Sequence, residues 1–404
     1  MVAEHLGDRV VRLRRLGGQT QEGLAARSGV SVDVVRKLEQ RRKHSARLPT
    51  LHALARGLGV EVTALLGDPP GVPSTGEVES PQLVALRRAM TPPMFSVPPV
   101  PESVAGLSSD ALRAELAEGW TLYHGAGFDR VMELLPDLIA RTRLVSAAGD
   151  VDQRAEGQAL LGKTLQLAGH LAIRLGKTDI ALAGLERAMT AAEASSDPLL
   201  PPMICNSVAW AYQRQNRLAD ASELALRAAD SVQRGGPESA TEWRVWGGLL
   251  MSAATSAARA GDYDQATDMM TTAERAAGRL SRLPAPTDGR LVSVFSRSSV
   301  RIERVRLAVQ HGRPEEALTL ARGMRVSGST PPSWRTWLLL DVARARADLG
   351  DAVGAVRALE SLRRFAPEWM RHHTLAVSIV LDLRAGPSHP PGLRRIADFL
   401  GLDA

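Results

Sequence analysis

A single cysteine, Cys205, is the only thiol in 404 residues, which excludes an internal disulfide and fits a reducing compartment. No apolar run approaches the roughly 20 residues of a membrane-spanning helix, and no signal-peptide pattern opens the chain. A soluble, cytoplasmic protein without a membrane partner is expected. Catalytic constellations are missing too: there is no Ser/His/Asp arrangement and no carboxylate pair. The nine histidines are scattered, and His372-His373 lacks cysteine or carboxylate ligands at metal spacing. Cys205 has no adjacent base and is expected to pack in a helix. The sequence predicts no enzyme, no cofactor and no metal site. Strand signals are also nearly absent beyond Leu107, where Ala-, Leu- and Arg-rich helical patterns take over.

What is present begins with charge. The formal net charge is +6, and residues 1–68 hold twelve Lys and Arg against seven Asp and Glu. The remainder is almost balanced, so the basicity is local, as a phosphate-binding footprint requires. Inside that segment, TQEGLAARSGVSVDVVRKLEQRRK (20–43) encodes two short helices. Thr20 is a good N-cap for a helix over Gln21–Ser28. Gly29 can take a positive φ cheaply, and Ser31 caps a second helix over Val32–Gln40. Val35 and Leu38 would face inward, leaving Val32, Asp33, Arg36 and Lys37 outward, with Arg41, Arg42 and Lys43 just beyond. A tight turn between two helices and a basic run past the second suit a duplex-reading element.

This stretch resembles the Cro/repressor-type (XRE) helix-turn-helix family over residues 4 to about 66. The resemblance implies a five-helix domain closed by PTLHALARGLGVEVTALL, and a double-stranded DNA partner in a cytoplasmic, nucleoid-associated setting. It implies a phosphate contact from Gln21, base-edge contacts from Val32, Asp33 and Lys37 with Arg36 nearby, and an ion pair between Arg14 and Glu39. Ser31, Arg41, Arg42 and Lys43 complete the expected interface. Asp33 has a competing role, since a first-turn carboxylate stabilises its helix without reading a base. Three positions depart from the family: Gly23 replaces a capping-box Glu, Gln19 an apolar residue, and Arg41 the glycine that usually follows the recognition helix.

Residues 68–106 are expected to form a Pro/Gly-rich linker that sets how far the head (1–67) stands from the rest, with a short helix in PQLVALRRAM. Residues 107–404 repeat. GDYDQATDMMTTAERA (261–276) and GDAVGAVRALESLRRFAP (350–367) are the clearest units, with weaker ones from 176, 216 and 312. A turn residue (Gly176, Asn216, Gly261, Gly312, Gly350) is followed five places later by Ala181, Ala221, Ala266, Ala317 or Ala355. A small residue there lets two helices cross closely. GFDRVMELLPDLIARTRL (127–144) supplies the second helix of a sixth, earlier unit, and PPGLRRIADFLGL a capping helix. These units resemble tetratricopeptide repeats. The expected fold is therefore all-α: a five-helix repressor-type head, a Pro-rich linker and a right-handed α-solenoid of tetratricopeptide-like helix pairs.

The first helices of such pairs line a concave wall. Spacings of three and four gather Lys163, Gln166, His170 and Arg174; Asn206, Trp210, Gln213 and Arg214; Arg259; Arg306 and Gln310; and Trp337 and Arg344. Such a face suits an extended peptide. A repressor-type head on a tetratricopeptide body resembles the Gram-positive quorum-sensing regulators, and the Arg- and Ala-rich composition is similar to that of actinobacterial members. The resemblance implies a dimeric transcription regulator, a homodimer, whose peptide or protein effector alters the spacing of two DNA heads. Two other readings stand beside it. One is a protein-interaction adaptor with secondary DNA binding. The other is a nucleotide-dependent switch, because GQALLGKT (157–164) satisfies the phosphate-loop pattern, although QALL is helix-forming and no strand precedes it.

Overall fold

The computed structural model describes residues 5–43, 46–66, 79–93, 107–234, 236–284, 294–324, 326, 330–371 and 373–402. Among them the chain is all-α, with no strand. The head contains α1 (Leu6–Leu16), α2 (Gln21–Ser28), α3 (Val32–Glu39), α4 (Leu48–Leu58) and α5 (Val62–Leu66). A short α6 (Pro81–Met90) follows. Six hairpins come next: α7 (Ser109–His124) with α8 (Phe128–Ala147), α9 (Val151–Arg174) with α10 (Thr178–Glu193), and α11 (Leu200–Arg214) with α12 (Leu218–Gln233). They continue with α13 (Ala240–Ala260) and α14 (Tyr263–Leu280), α15 (Arg297–Gln310) and α16 (Pro314–Ala321), and α17 (Pro332–Asp348) and α18 (Ala352–Phe365). The chain closes with α19 (Pro367–Arg371), α20 (Thr374–Ala385) and α21 (Leu393–Phe399).

Each hairpin turns through one left-handed residue: Ala126 (φ 64), Gly176 (73), Asn216 (58), Gly261 (97), Gly312 (75) and Gly350 (78). Five places on, Ala181, Ala221, Ala266, Ala317 and Ala355 are buried, where the two helices of a pair meet. The first hairpin was only half legible. Its turn residue is an alanine between two glycines, and Val131 replaces the small residue at the crossing. GQALLGKT lies within α9. A Cβ on Gly157 would fall 2.7 Å from Ser146 Cα, and one on Gly162 would fall 3.3 Å from the Ala188 carbonyl. Thr164 is buried and donates its hydroxyl to Leu160 O at 2.8 Å. The glycines therefore let α8 and α10 cross α9 closely, and the segment is a helix rather than a phosphate loop.

The chain divides into two compact units, one of residues 76–256 and 271–296, the other of 1–75, 257–270 and 297–404. In the first, α6 lies on α8, α9 and α10. It buries Leu83, Leu86 and Met90, with the Met90 methyl seated over Gly184. Arg143 donates to Ala89 O, and Glu79 pairs with Arg87 and Lys177. The proline-rich stretches 67–78 and 94–106 lie outside the described residues, as does His372.

In the second unit, one apolar core joins head residues Val10, Leu24, Val35, Leu38, Leu54 and Leu65 to Val305, Ala308, Val309, Ala317 and Ala345 of the repeats. α4 contacts α15, and α5 contacts α20. The expected stand-off between head and repeats does not hold. α4 buries Leu48, Leu51, Leu54 and Ala55 in the core that the head shares with Val305, Ala308, Val309, Ala317 and Ala345.

Candidate functional site

The helix pair α2–α3 is built by local signals that the sequence displays. Thr20 Oγ1 accepts from Gly23 N at 2.9 Å, Gly29 closes α2 at φ 69, and Ser31 Oγ accepts from Val34 N at 3.4 Å. Val35 and Leu38 are fully buried, while the side chains of Asp33, Arg36 and Lys37 are 64, 50 and 53% exposed. Ser31, Arg41, Arg42 and Lys43 are exposed, and Val32 is half-buried. One surface thus presents a helix with five cations on or just beyond it.

Its orientation is fixed from below by Glu39. The carboxylate accepts Arg14 Nε at 2.7 Å on one oxygen, and Arg14 Nη2 at 2.9 Å and Gln21 Nε2 at 2.7 Å on the other. Arg14 Nη1 donates to Gln19 O at 2.7 Å. Burial pushes the Glu39 carboxyl up, but the hydrogen bonds from Arg14 and Gln21 more than reverse this, leaving it below the usual carboxylate range. The ion pair implied by the family resemblance is present, and Gln21 joins it, spending a donor expected for phosphate. Gln19, in an apolar family position, reaches Gly57 O at 3.2 Å.

Three outward cations are already engaged. Lys37 Nζ lies 2.8 Å from Asp33, Arg36 Nη2 lies 4.0 Å from Glu22, and Arg41 forks onto Asp8 at 3.1 and 2.9 Å. Arg41 also adopts φ 56, the left-handed conformation its glycine counterpart would take freely.

The residues expected to face an effector fall into two sets. In the unit of residues 76–256 and 271–296, α9 and α11 bring most of theirs together. Gln166 is buried and donates to Met203 O and Ser207 Oγ, and His170 Nε2 lies 2.9 Å from the same hydroxyl. The Arg174 guanidinium sits 5.8 Å over Trp210. Lys163 is 3.6 Å from Asp197, while Asn206 and Arg214 are half-buried. Gln213 is buried and donates to Ser252 O and Ser256 Oγ. The sequence reading missed Trp120 and His124 on α7: Trp120 packs edge-on to His170 at 5.1 Å and stacks with His124 at 5.9 Å. The available signal was GWTLYH followed by a glycine-flanked turn. Burial takes His170 down to about 3 and His124 to about 4, helped by Arg174. Both imidazoles are neutral at pH 7.

In the other unit, Arg306 pairs with Glu303 at 3.2 Å and Asp341 at 3.5 Å, with its guanidinium 4.2 Å over Trp337. Burial pushes Asp341 up to about 7 despite Arg306. Arg344 is buried between Asp348 and Asp382, and Gln310 is buried. Arg259 is half-buried, and its carbonyl accepts from Arg56 at 3.0 Å. Gln166, Gln213 and Arg344 therefore have partners within the protein. Among the described residues no group of His, Cys, Asp and Glu is arranged for a metal, and no helix is long and apolar enough to cross a membrane.

A comparison with curated proteins finds no match. Among solved structures the chain is similar to a Rap protein complexed with competence and sporulation factor, at 12% identity and a TM-score of 0.45, covering 73% of this chain and 87% of that one. It is also similar to the apo form of the quorum sensor NprR from B. thuringiensis, at 11% identity and a TM-score of 0.40, covering 72% and 75%. A third is BtubC from P. vanneervenii, at 14% and 0.38, covering 64% and 91%. A family model described as "Helix-turn-helix domain" matches residues 5–66, the span that α1 to α5 occupy. Residues 5–66 of this chain are a helix-turn-helix domain.

Proposed function

We propose that the protein is a sequence-specific DNA-binding transcription regulator, acting as a homodimer, with its activity modulated by a peptide or protein effector on the polar faces of the repeat helices. The observation that carries the DNA-reading part is α3 itself. Its Val35 and Leu38 are fully buried, its outward charges are half or more exposed, and its far end is clamped by the Arg14–Glu39–Gln21 junction. A reading helix needs this combination, because base contacts demand a fixed helix with exposed side chains. Val32, Asp33 and Lys37 are assigned to base edges with Arg36 close by, and Arg42 and Lys43 to phosphates. Substitution at Asp33 or Lys37 should change which sequence is bound, by ~1–3 kcal/mol for each good base contact. Substitution at Arg42 should weaken all sequences and flatten the salt dependence. Genome-wide footprinting with the full chain and these variants tests this; uniform occupancy unaffected by Lys37→Ala refutes it.

The effector assignment is supported by Trp120, His124, His170, Arg174 and Trp210, an aromatic and basic group on the first helices of three successive pairs. Dimerisation would match two heads to half-sites about one helical turn apart. Light scattering that finds a monomer both free and on DNA would rule it out.

A further inference from the structure

We propose that the head binds DNA while docked, with α4 held on α15, α5 held on α20, and α3 presented outward from that fixed base. This rests on the DNA-reading function proposed above. The docking is built from three kinds of contact within one compact unit. The apolar core of the head runs without interruption into Val305, Ala308 and Val309 of α15 and Ala345 of α17. Arg56 on α4 donates to the Arg259 carbonyl at 3.0 Å, beside the Gly261 turn. Pro49, in the first turn of α4, lies against Gly312, the turn between α15 and α16. Two adjacent hairpin turns thus receive the same head helix.

The base-reading surface stays outside this contact. Asp33, Arg36, Lys37, Arg41 and Arg42 are exposed in the docked arrangement. Docking and duplex binding use different sides of the head, so they do not compete. The docked helices are also two-faced. On α15, Val305 and Val309 enter the shared core while Glu303 and Arg306 join Asp341 and Trp337. On α17, Ala345 enters that core while Arg344 pairs with Asp348 and Asp382. A shift of α15 or α17 imposed at these polar networks moves α4 directly, because side-chain packing links them.

The test uses the full chain with Cys205→Ser, Pro49→Cys and Gly312→Cys. A Cβ at Gly312 falls 4.0 Å from the Pro49 Cβ, within the range a disulfide spans. Mild oxidation should close an intramolecular disulfide, seen as a mobility shift on a non-reducing gel. The oxidised protein should bind a mixed-sequence duplex at low salt within about threefold of the reduced protein. Because a cysteine at Gly312 is strained by its positive φ, a second variant, Ala308→Arg on α15, reads the same contact through amide exchange. It should speed exchange in α4 about tenfold or more. No disulfide and unchanged α4 exchange would overturn the docking. A disulfide that forms and abolishes duplex binding would show the docked form to be the inactive one. Absence of duplex affinity in oxidised and reduced protein alike would instead sink the DNA-reading function on which the proposal rests.

Discussion

Removing Arg14 should loosen α3 more than any exposed charge substitution in the head. Arg14 and Glu39 are only 12 and 6% exposed, and the pair is bidentate. In Arg14→Ala the Glu39 carboxylate keeps the Gln21 donor but loses its counter-ion in a site largely closed to water. Breaking one side of such a pair destabilises by ~3–5 kcal/mol, and the surviving Gln21 bond favours the lower end, about 3 kcal/mol. Glu39→Gln keeps the shape but leaves the Arg14 cation without its counter-ion and sets an amide NH2 against a donor, so it should lose about as much, ~3 kcal/mol. Arg14→Met with Glu39→Met leaves no buried ion and should be milder than Arg14→Ala. Amide exchange of α3 in the full chain at pH 7 measures each opening free energy. The Glu39 carboxyl is held below its ordinary value, so this contribution is present above about pH 4.5 and is lost as pH falls through the folded value. Equal losses for Arg14→Ala and the double methionine variant would refute the reasoning, as would a loss below about 0.5 kcal/mol for Arg14→Ala.

Other outcomes follow from the same geometry. Asp33→Ala should change stability by less than about 1 kcal/mol, since its pair with Lys37 is well exposed; in gel-shift titrations it should raise affinity for arbitrary duplexes while lowering it for the cognate site. His124 and His170 take up protons only near pH 4 and 3 when folded but near 6.5 when unfolded. Stability should therefore fall as pH drops below 6.5, by up to about 1.4 kcal/mol per pH unit for each. Urea midpoints followed by tryptophan fluorescence check this, and the slope should flatten in the His124→Gln, His170→Gln double variant. Gly157→Ala should destabilise the α8–α9 crossing by about 1–3 kcal/mol without any nucleotide-related effect, read by thermal unfolding with and without ATP.

The head was legible because its signals are local. Thr20, Gly29 and Ser31 cap helices of eight residues each, and the buried pair Val35 and Leu38 sits one turn apart. The repeats were legible wherever a turn residue and an alanine keep a fixed offset. The hairpin of α7 and α8 was half hidden because Ala126 does a turn residue's work and Val131 takes the alanine's place. Side-chain fate was harder to read. Gln166 and Gln213 share helix faces with His170 and Trp210, yet their amides bond to serines on the first helix of the following pair. Periodicity assigns a face but not whether a neighbouring helix covers it. The docking of α4 was hidden for a related reason, since its partners lie some 250 residues later, beyond the reach of any local pattern.

That separation has a bearing on biosynthesis. Translation delivers α4 long before α15 to α20, and at ~5–20 residues per second the interval is about 12–50 s. During it the nascent head forms its inner core from Val10, Leu24, Val35 and Leu38, but Val305 and Val309 do not yet exist to cover the remaining leucines. The ribosome-bound chain thus carries a sticky strip in the same small domain as the exposed cations Arg41, Arg42 and Lys43, and chaperone capture should be strongest before the last hundred residues emerge.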